Sequence, residues 1–550
     1  MFGKKWILLL AGACVVLAGL LQVPHVLRQI DPRYQGLMGE LNSDADFYFA
    51  RIQEALSGRG EQVAEAFVGD TRLVGTQFGR LERFEGEIFR LFGVTRAQTA
   101  VQVMASVASP LLLLLIVAFF MLAGFPRHLA FAGAILFCVM EIAGLNRPVH
   151  QRDSFLLVML CLTLLSMGVL RHWVWGVFGG VLLGLLVGIY FWSFTFAWTF
   201  FGIWMLWEAV EWVVARWRRS KTSPKHLQRL LLFGLIGVIF ALPFVLELFS
   251  IVKHPLYEFA RYRSGMRPSH LPESIPYAIL FLTMVGGMLL ALREKYAALR
   301  SYRPAMVMAF TAFVVIHQQA VHGVIFNFVS HYIFALIVAA IGVVFLAIRK
   351  RGVWLLLSAA AACVYLAAVG YDGAVLRNQW TVKASEFREQ HLMTAIREME
   401  AMPRMRILSD PETSMIIAGN TKHDIVYSIY LKNMLITHDE IAERLCLTQL
   451  PLKPEMRNIA ARKLLVYPDA IGAFKRADPG IRDREVQTVE EACKRVDRDP
   501  VKYVKQYGAA AVLWNEKQQP QWDIKRLRIA TKNIARGDGW SLWSITTGRP

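Results

Sequence analysis

The sequence predicts a polytopic α-helical membrane protein of about eleven spans with a C-terminal extracytoplasmic α/β domain. Of its 550 residues, 55% are hydrophobic, more apolar surface than a water-soluble fold readily hides. Several windows reach the roughly 20 apolar residues that cross a bilayer core. The basic residues behind the net charge of +19 gather in short loops between apolar stretches. There they set membrane orientation, whereas nucleic acid calls for one clustered basic face, so nucleic acid is not expected as a partner.

The chain opens Met1-Phe2-Gly3-Lys4-Lys5 and runs apolar to about Leu21. A signal peptide can begin this way. The apolar run continues past Cys14, which favours a retained first span over residues 1–22. Spans are expected at about 6–22, 101–124, 129–145, 155–170, 173–191, 195–214, 230–250, 275–292, 305–321, 331–348 and 353–371. With Lys4 and Lys5 in the cytoplasm and strict alternation, Arg127-His128, Arg171-His172, Arg216 to Arg229, Arg293 to Arg303 and Arg349-Lys350-Arg351 all face the cytoplasm. That agreement with the positive-inside bias fixes the expected topology. It places outside the stretch 23–100, the loop Asn146–Asp153, the loop from Lys253 to Ser274 and the tail 372–550, with a bundle over 101–371. In a bacterium with two membranes this is a multi-pass inner (cytoplasmic) membrane protein with its N-terminus in the cytoplasm.

The first external stretch has helical spacing over Phe47–Leu56, ending at Ser57-Gly58, and again over Leu81–Phe92 through Phe84, Ile88, Leu91 and Phe92. Both helices either lie along the membrane surface or pack on the bundle. In the tail, Arg406–Ser409, Lys463–Tyr467 and Ala509–Trp514 read as strands, Asp410-Pro411 as a helix start, and Val489–Tyr507 as a helix stopping at Gly508. This alternation predicts a small α/β domain. Cys14, Cys138, Cys161 and Cys363 lie in apolar spans as packing residues. Cys446 and Cys493 can pair if the tail is extracytoplasmic. No cysteine spacing suggests zinc.

Asp44 and Asp46, two residues apart before the first external helix, can point at one hard divalent cation, or one can serve as a general base. The alternative is an N-cap. Asp153, with His150 and Arg152 beside it, is either a second acidic site or a cap at the start of a span. Lys253, His254, Arg261, Arg263 and Arg267 share one external loop, where arginine forks suit either a phosphate or lipid head groups. His317, His322, Asn327 and His331 surround the outer ends of two spans, as packing residues or substrate contacts. Glu141 and Glu247 lie near outer span ends, where a carboxylate is a functional candidate. Glu208 and Glu211 are expected to pair with Arg216, Arg218 or Arg219.

The span layout, the acidic motifs and the external tail together resemble the GT-C class of membrane glycosyltransferases. Asp46-Phe47-Tyr48-Phe49, with Arg51 nearby, resembles the Asp-x-aromatic-aromatic pattern in the catalytic subunit of oligosaccharyltransferase, although Arg51 falls one residue earlier than that pattern's basic residue. Asp153-Ser154-Phe155 occupies the place of the second acidic motif. The tail stretches Leu408–Ser414, Lys502–Gly508 and Gly539–Trp543 are similar to tails in such proteins. The resemblance implies an inverting hexosyl or pentosyl transfer from a polyprenyl-phosphate-linked sugar donor to a lipid, glycan or protein acceptor. It implies Asp46 as base or metal ligand and Asp153 as second ligand to a divalent cation (Mg or Mn), and the neighbouring Asp44 is expected as a supporting carboxylate. Substrate and phosphate contacts fall to His150, Arg152, Arg261, Arg263, His322 and His331. The tail lacks the Trp-Trp-Asp motif that reads a peptide acceptor, of which Trp522-Asp523 is a fragment, so a sugar, lipid or polysaccharide acceptor fits better than a peptide. A transporter or flippase of a lipid-linked or polar solute is the alternative reading. Such proteins usually show repeated halves and midplane polar sites, and here the acids sit near external span ends. A non-catalytic assembly protein and a polysaccharide polymerase or ligase are further readings with similar topology.

Overall fold

Among the described residues, a helix forms at each expected span. The computed structural model describes residues 4–38, 45–58, 67–70, 73–76, 78–149, 151–219, 224–263, 266–268, 270, 302–325, 329–348, 371–457 and 480–546. The chain divides into two units of three stretches each. The first comprises Met1–Pro24, Gln102–Leu248 and Pro268–Thr381, the second His25–Val101, Phe249–Arg267 and Val382–Pro550.

In chain order the helices are α1 (Lys4–Gln29), α2 (Ala45–Leu56), α3 (Arg80–Leu91), α4 (Ala97–Leu122), α5 (Arg127–Met140), α6 (Ile142–Leu145), α7 (Arg152–Leu170), α8 (Trp173–Leu185), α9 (Phe191–Trp217), α10 (Lys225–Val252) and α11 (Tyr257–Arg263). Then come α12 (Arg303–His317), α13 (Gln319–His322), α14 (Ile333–Ile348) and α15 (Tyr371–Trp380). Among the described residues, α1, α4, α7, α10 and the run Arg303–His322 are long and apolar enough to cross a membrane, and three shorter apolar helices accompany them. The expected span at 275–292 lies outside the described residues, as does that at 353–371 up to Tyr371.

In the first unit, α8 carries Gly176, Gly180 and Gly184 one turn apart. A Cβ on Gly180 would stand 2.6 Å from the Phe233 carbonyl oxygen, and one on Gly184 would stand 2.5 Å from that of Gly237. This stripe lets the backbones of α8 and α10 touch, the way helices associate where lipid offers no hydrophobic gain. Gly184→Leu should force them apart at a cost of about 1–3 kcal/mol. It should lower the melting temperature of the solubilised protein, while Gly202→Leu, at a position with open space around its Cβ, leaves it unchanged.

A cluster of buried charge in this unit is paired. Arg303, in the first turn of α12, bonds Glu208 and donates to both Glu211 oxygens at 2.9 Å. The indoles of Trp204 and Trp207 donate to the same two carboxylates. This corrects the expected pairing with Arg216, Arg218 or Arg219. α9 packs along α12, so a cation distant in sequence reaches the acids first.

The second unit is built around a five-stranded sheet of β1 (Arg406–Leu408), β2 (Asp424–Ile425), β3 (Ala511–Asn515), β4 (Thr531–Gly537) and β5 (Trp540–Ile545), in the order β2-β1-β3-β5-β4. β1 runs parallel to β2 and β3, while β3 and β4 run antiparallel to β5. The expected strands at 406–409 and 509–514 are thus central neighbours, and the one at 463–467 lies outside the described residues. The tail helices are α16 (Leu392–Glu400), α17 (Pro411–Asn420), α18 (His438–Gln449), α19 (Ile481–Arg498) and α20 (Pro500–Gln506). The single helix expected over 489–507 is broken at Pro500, which has no N–H for the preceding turn. Cys446 and Cys493 form a disulfide between α18 and α19. Closing a loop of 47 residues stabilises the domain by about 4 kcal/mol in the chain-entropy picture.

The early external stretch belongs to this same unit. The Ile425 amide donates to the Phe67 carbonyl at 2.9 Å, and that of Leu435 to Val74 at 2.8 Å. Every residue of α2 except Asp46 is buried, so α2 is a core element rather than a surface one.

Asp410 caps α17, its Oδ1 accepting from the Thr413 amide at 3.0 Å. Its Oδ2 is buried without a hydrogen-bond partner among the described residues, and burial pushes the carboxyl pKa up to about 7. A raised acid pKa means that stability is fullest below the unfolded value near 4 and declines as pH rises towards 7. The expected slope is about 1.4 kcal/mol per pH unit. Asp410→Asn keeps the cap and should flatten this decline, giving a higher melting temperature than the parent at pH 8 and no gain at pH 4.

Candidate active site

Asp46 occupies the first turn of α2, where the unpaired N–H groups and the helix dipole favour a negative charge. Its Oδ1 accepts from the Phe47 amide at 2.8 Å and from the Tyr430 hydroxyl at 2.7 Å. The Tyr430 ring packs on Phe47 at 4.4 Å between centroids, and the Arg51 guanidinium lies over the Phe47 ring at 4.1 Å. Arg51 in turn pairs with Glu82 at 2.9 Å, both side chains buried. The Asp-aromatic-aromatic-aromatic stretch is therefore a packed assembly: α2 sets the carboxylate, the rings fix its first turn, and a buried ion pair ties α2 to α3. Asp44 and His150 lie outside the described residues.

Tyr430 sits on a short 3-10 turn, Ile429–Asn433. Arg263 holds the chain around that turn, donating to the carbonyls of Lys432 at 3.0 Å, Ile436 at 2.9 Å and Met434 at 2.6 Å. It is fully buried, and burial pushes its pKa down to about 10. Arg263 was expected to contact phosphate; the structure instead commits its guanidinium to backbone carbonyls. Arg261, two residues earlier on α11, is half-buried and donates to Glu258 at 3.3 Å, keeping its charge near solvent.

Asp153 belongs to the first unit, in the first turn of α7. Arg152 donates to both of its oxygens at 2.7 Å, and both side chains are buried. The turn before them is tight: Val149 and Gln151 have φ of 52° and 67°, a region that non-glycine residues seldom adopt. His322 is exposed at the end of α13, its Nδ1 accepting from the Val324 amide at 3.2 Å. His331 lies on the 3-10 turn Val329–Tyr332 that leads into α14.

No group of three or more His, Cys, Asp or Glu side chains suited to a metal gathers among the described residues. The Asp153 oxygens are already taken by the Arg152 fork.

Tyr430 is the positioning residue that sequence reasoning missed, and Arg263 supports its turn through backbone carbonyls. Tyr430 lies 384 residues from Asp46, and no local spacing joins them.

No protein-family model matches this chain, and no curated protein does. Solved structures do. ArnT from Cupriavidus metallidurans superposes with a TM-score of 0.53 at 12% identity, covering 98% of each chain. The arabinofuranosyltransferase AftD from mycobacteria superposes at 0.51 and 10% identity, over 100% of this chain and 40% of its own. An oligosaccharyltransferase from Archaeoglobus fulgidus aligns at 0.48 and 11% identity, over 94% of this chain and 70% of its own. Identities this low establish architecture alone, and the ArnT alignment runs end to end. This chain has the fold of the GT-C membrane glycosyltransferases.

Proposed function

We propose that this protein is a membrane glycosyltransferase that moves a sugar from a polyprenyl-phosphate-linked donor to a lipid, glycan or protein acceptor on the extracytoplasmic side. The carrying observation is Asp46, a carboxylate held at the start of α2 by Tyr430 within a chain of GT-C fold. The Cys446–Cys493 disulfide supports an oxidising, extracytoplasmic setting for the second unit.

In this reading the acceptor hydroxyl attacks the anomeric carbon from the face opposite the phosphate, which inverts that centre. The bond from carbon to phosphate oxygen breaks, and its electron pair stays on the phosphate. Asp46 takes the hydroxyl proton as the new bond forms. Tyr430 holds Oδ1 in place, so that the carboxylate does not have to be oriented during the reaction. Arg261, a half-buried cation on α11 paired with Glu258, offsets the charge growing on the leaving phosphate.

The test is transfer by the purified protein in nanodiscs, with a radiolabelled polyprenyl-phosphate sugar as donor and a lipid extract from the source cells as acceptor. Label should move into a new product with release of polyprenyl phosphate. Movement of intact donor across the bilayer without product would identify a flippase instead.

A further inference from the structure

The second unit holds a cavity of about 520 Å³ between α16, the β4–β5 hairpin and Gln35 in the stretch before α2. Its size is that of a small-molecule site. None of its lining residues is among those given a role in transfer.

The floor is built and held. Trp540 is 2% exposed, and its indole donates to the Thr394 hydroxyl at 2.7 Å, which ties β5 to α16. His391, buried at the head of α16, is held between the Arg388 carbonyl at 3.0 Å and Asn515 Oδ1 at 2.9 Å. Asn515, at the end of β3, donates in turn to Glu389 at 2.6 Å and to the Thr413 hydroxyl at 3.2 Å. Gly537 lets the hairpin backbone lie against the indole, because a Cβ there would stand 2.4 Å from Trp540 Nε1. β4 shifts its register against β5 between Asn533 and Ala535, which bends the strand just before the wall residues Ala535 to Asp538. Walls fixed by their own hydrogen bonds have little freedom left to lose when a ligand binds.

The rim is polar and has capacity to spare. The Glu398 carboxylate on α16 and the Gln35 side-chain amide are exposed and bond to nothing among the described residues. Arg536 is 69% exposed and meets Glu516 only at 3.3 Å. Asp538, paired with Lys517, is still more exposed. Two carboxylates against one guanidinium disfavour an anion such as phosphate. What remains is a set of acceptors (Glu398, Asp538), a donor fork (Arg536) and an amide that is both (Gln35). A ligand that satisfies all of them is neutral and dense in groups that donate and accept at once. The neighbouring hydroxyls of a sugar ring are such groups, and their spacing suits a carboxylate or a guanidinium fork. The C–H face of the same ring suits the indole and glycine floor.

We propose that this cavity is a saccharide-binding site, separate from the transfer site, that takes a short stretch of a neutral glycan. Trp540 and Gly537 form its floor, and Glu398, Gln35 and Arg536 take the hydroxyls. A glycan held here stays beside the second unit, which raises the effective concentration of its other residues there.

The test is binding of the full chain, in fluorescently labelled nanodiscs, to an array of neutral and acidic bacterial oligosaccharides, with no sugar donor present. A set of neutral glycans should be retained. Glu398→Ala removes hydrogen bonds to a charged acceptor and should weaken the best of them by about tenfold or more. Gln35→Ala should weaken it by a smaller factor. Both positions are exposed and unpaired, so both variants should melt with the parent. Asp46→Asn should bind as the parent does. Retention of no neutral glycan, or of acidic ones alone, would overturn the proposal. Retention untouched by Glu398→Ala and Gln35→Ala would overturn it equally, as would loss in Asp46→Asn alone, which would put the saccharide at the transfer site. Binding is read without transfer, so failure here and failure of the transferase reading are separate results.

Discussion

Asp46→Asn is expected to lower the turnover of sugar transfer by about 10²–10⁴-fold, the range that a positioned general base contributes. Membrane insertion and melting temperature should be close to those of the parent. The amide oxygen can still accept from the Phe47 amide and the Tyr430 hydroxyl, so the first turn of α2 keeps its bonds and loses only the capacity to take a proton. That makes Asn more discriminating than Ala, which would remove the bonds as well. Radiolabel transfer by the nanodisc-embedded variant is the measurement, and full activity would remove Asp46 from the mechanism. Tyr430→Phe is the companion. It removes one hydrogen bond to a charged oxygen, worth about 1.5–3 kcal/mol, so turnover should fall by roughly 10–100-fold if that bond is fully realised in the transition state.

Glu82→Gln is expected to have the largest effect on stability. It leaves the buried Arg51 guanidinium facing a neutral amide, and breaking a buried pair in this way costs about 3–5 kcal/mol. The same change should free α3 from α2. Loss of stability in denaturant or heat would be the readout, with faster proteolysis near Ser57-Gly58. The double change Arg51→Met/Glu82→Leu removes both charges and should recover most of the loss. If the single change is as stable as the parent, the pair is not what joins the two helices.

The sequence made the architecture legible because membrane physics is strict. Apolar stretches punctuated by basic loops predicted a polytopic helical bundle with an α/β tail, and the end-to-end likeness to ArnT agrees with that class of fold. Local chemistry was legible as well: Asp410-Pro411 starts α17, and Ser57-Gly58 closes α2, Gly58 taking φ +75°. Contacts distant in sequence were not. Glu208 pairs with Arg303 and Asp46 with Tyr430 because helices and turns far apart in sequence pack together, and spacing carries no trace of either. Arg263 shows a second limit. Composition counts a cation in a loop but cannot say whether it faces solvent or a ring of backbone carbonyls. The β4–β5 hairpin was readable in principle from Asp538-Gly539, a tight-turn pair between alternating residues, Gly539 taking φ +78°.

The way the second unit is stitched from separated stretches has a biosynthetic consequence. Its early part, His25–Val101, leaves the ribosome long before Val382 and the strands that follow. At about 5–20 residues per second the delay is on the order of 15–60 s. Throughout that interval Phe47 waits for Tyr430, and Phe67 for Ile425. The nascent loop must therefore be shielded while the intervening spans are inserted, and a chain truncated before its tail would be expected to present this segment to envelope proteases.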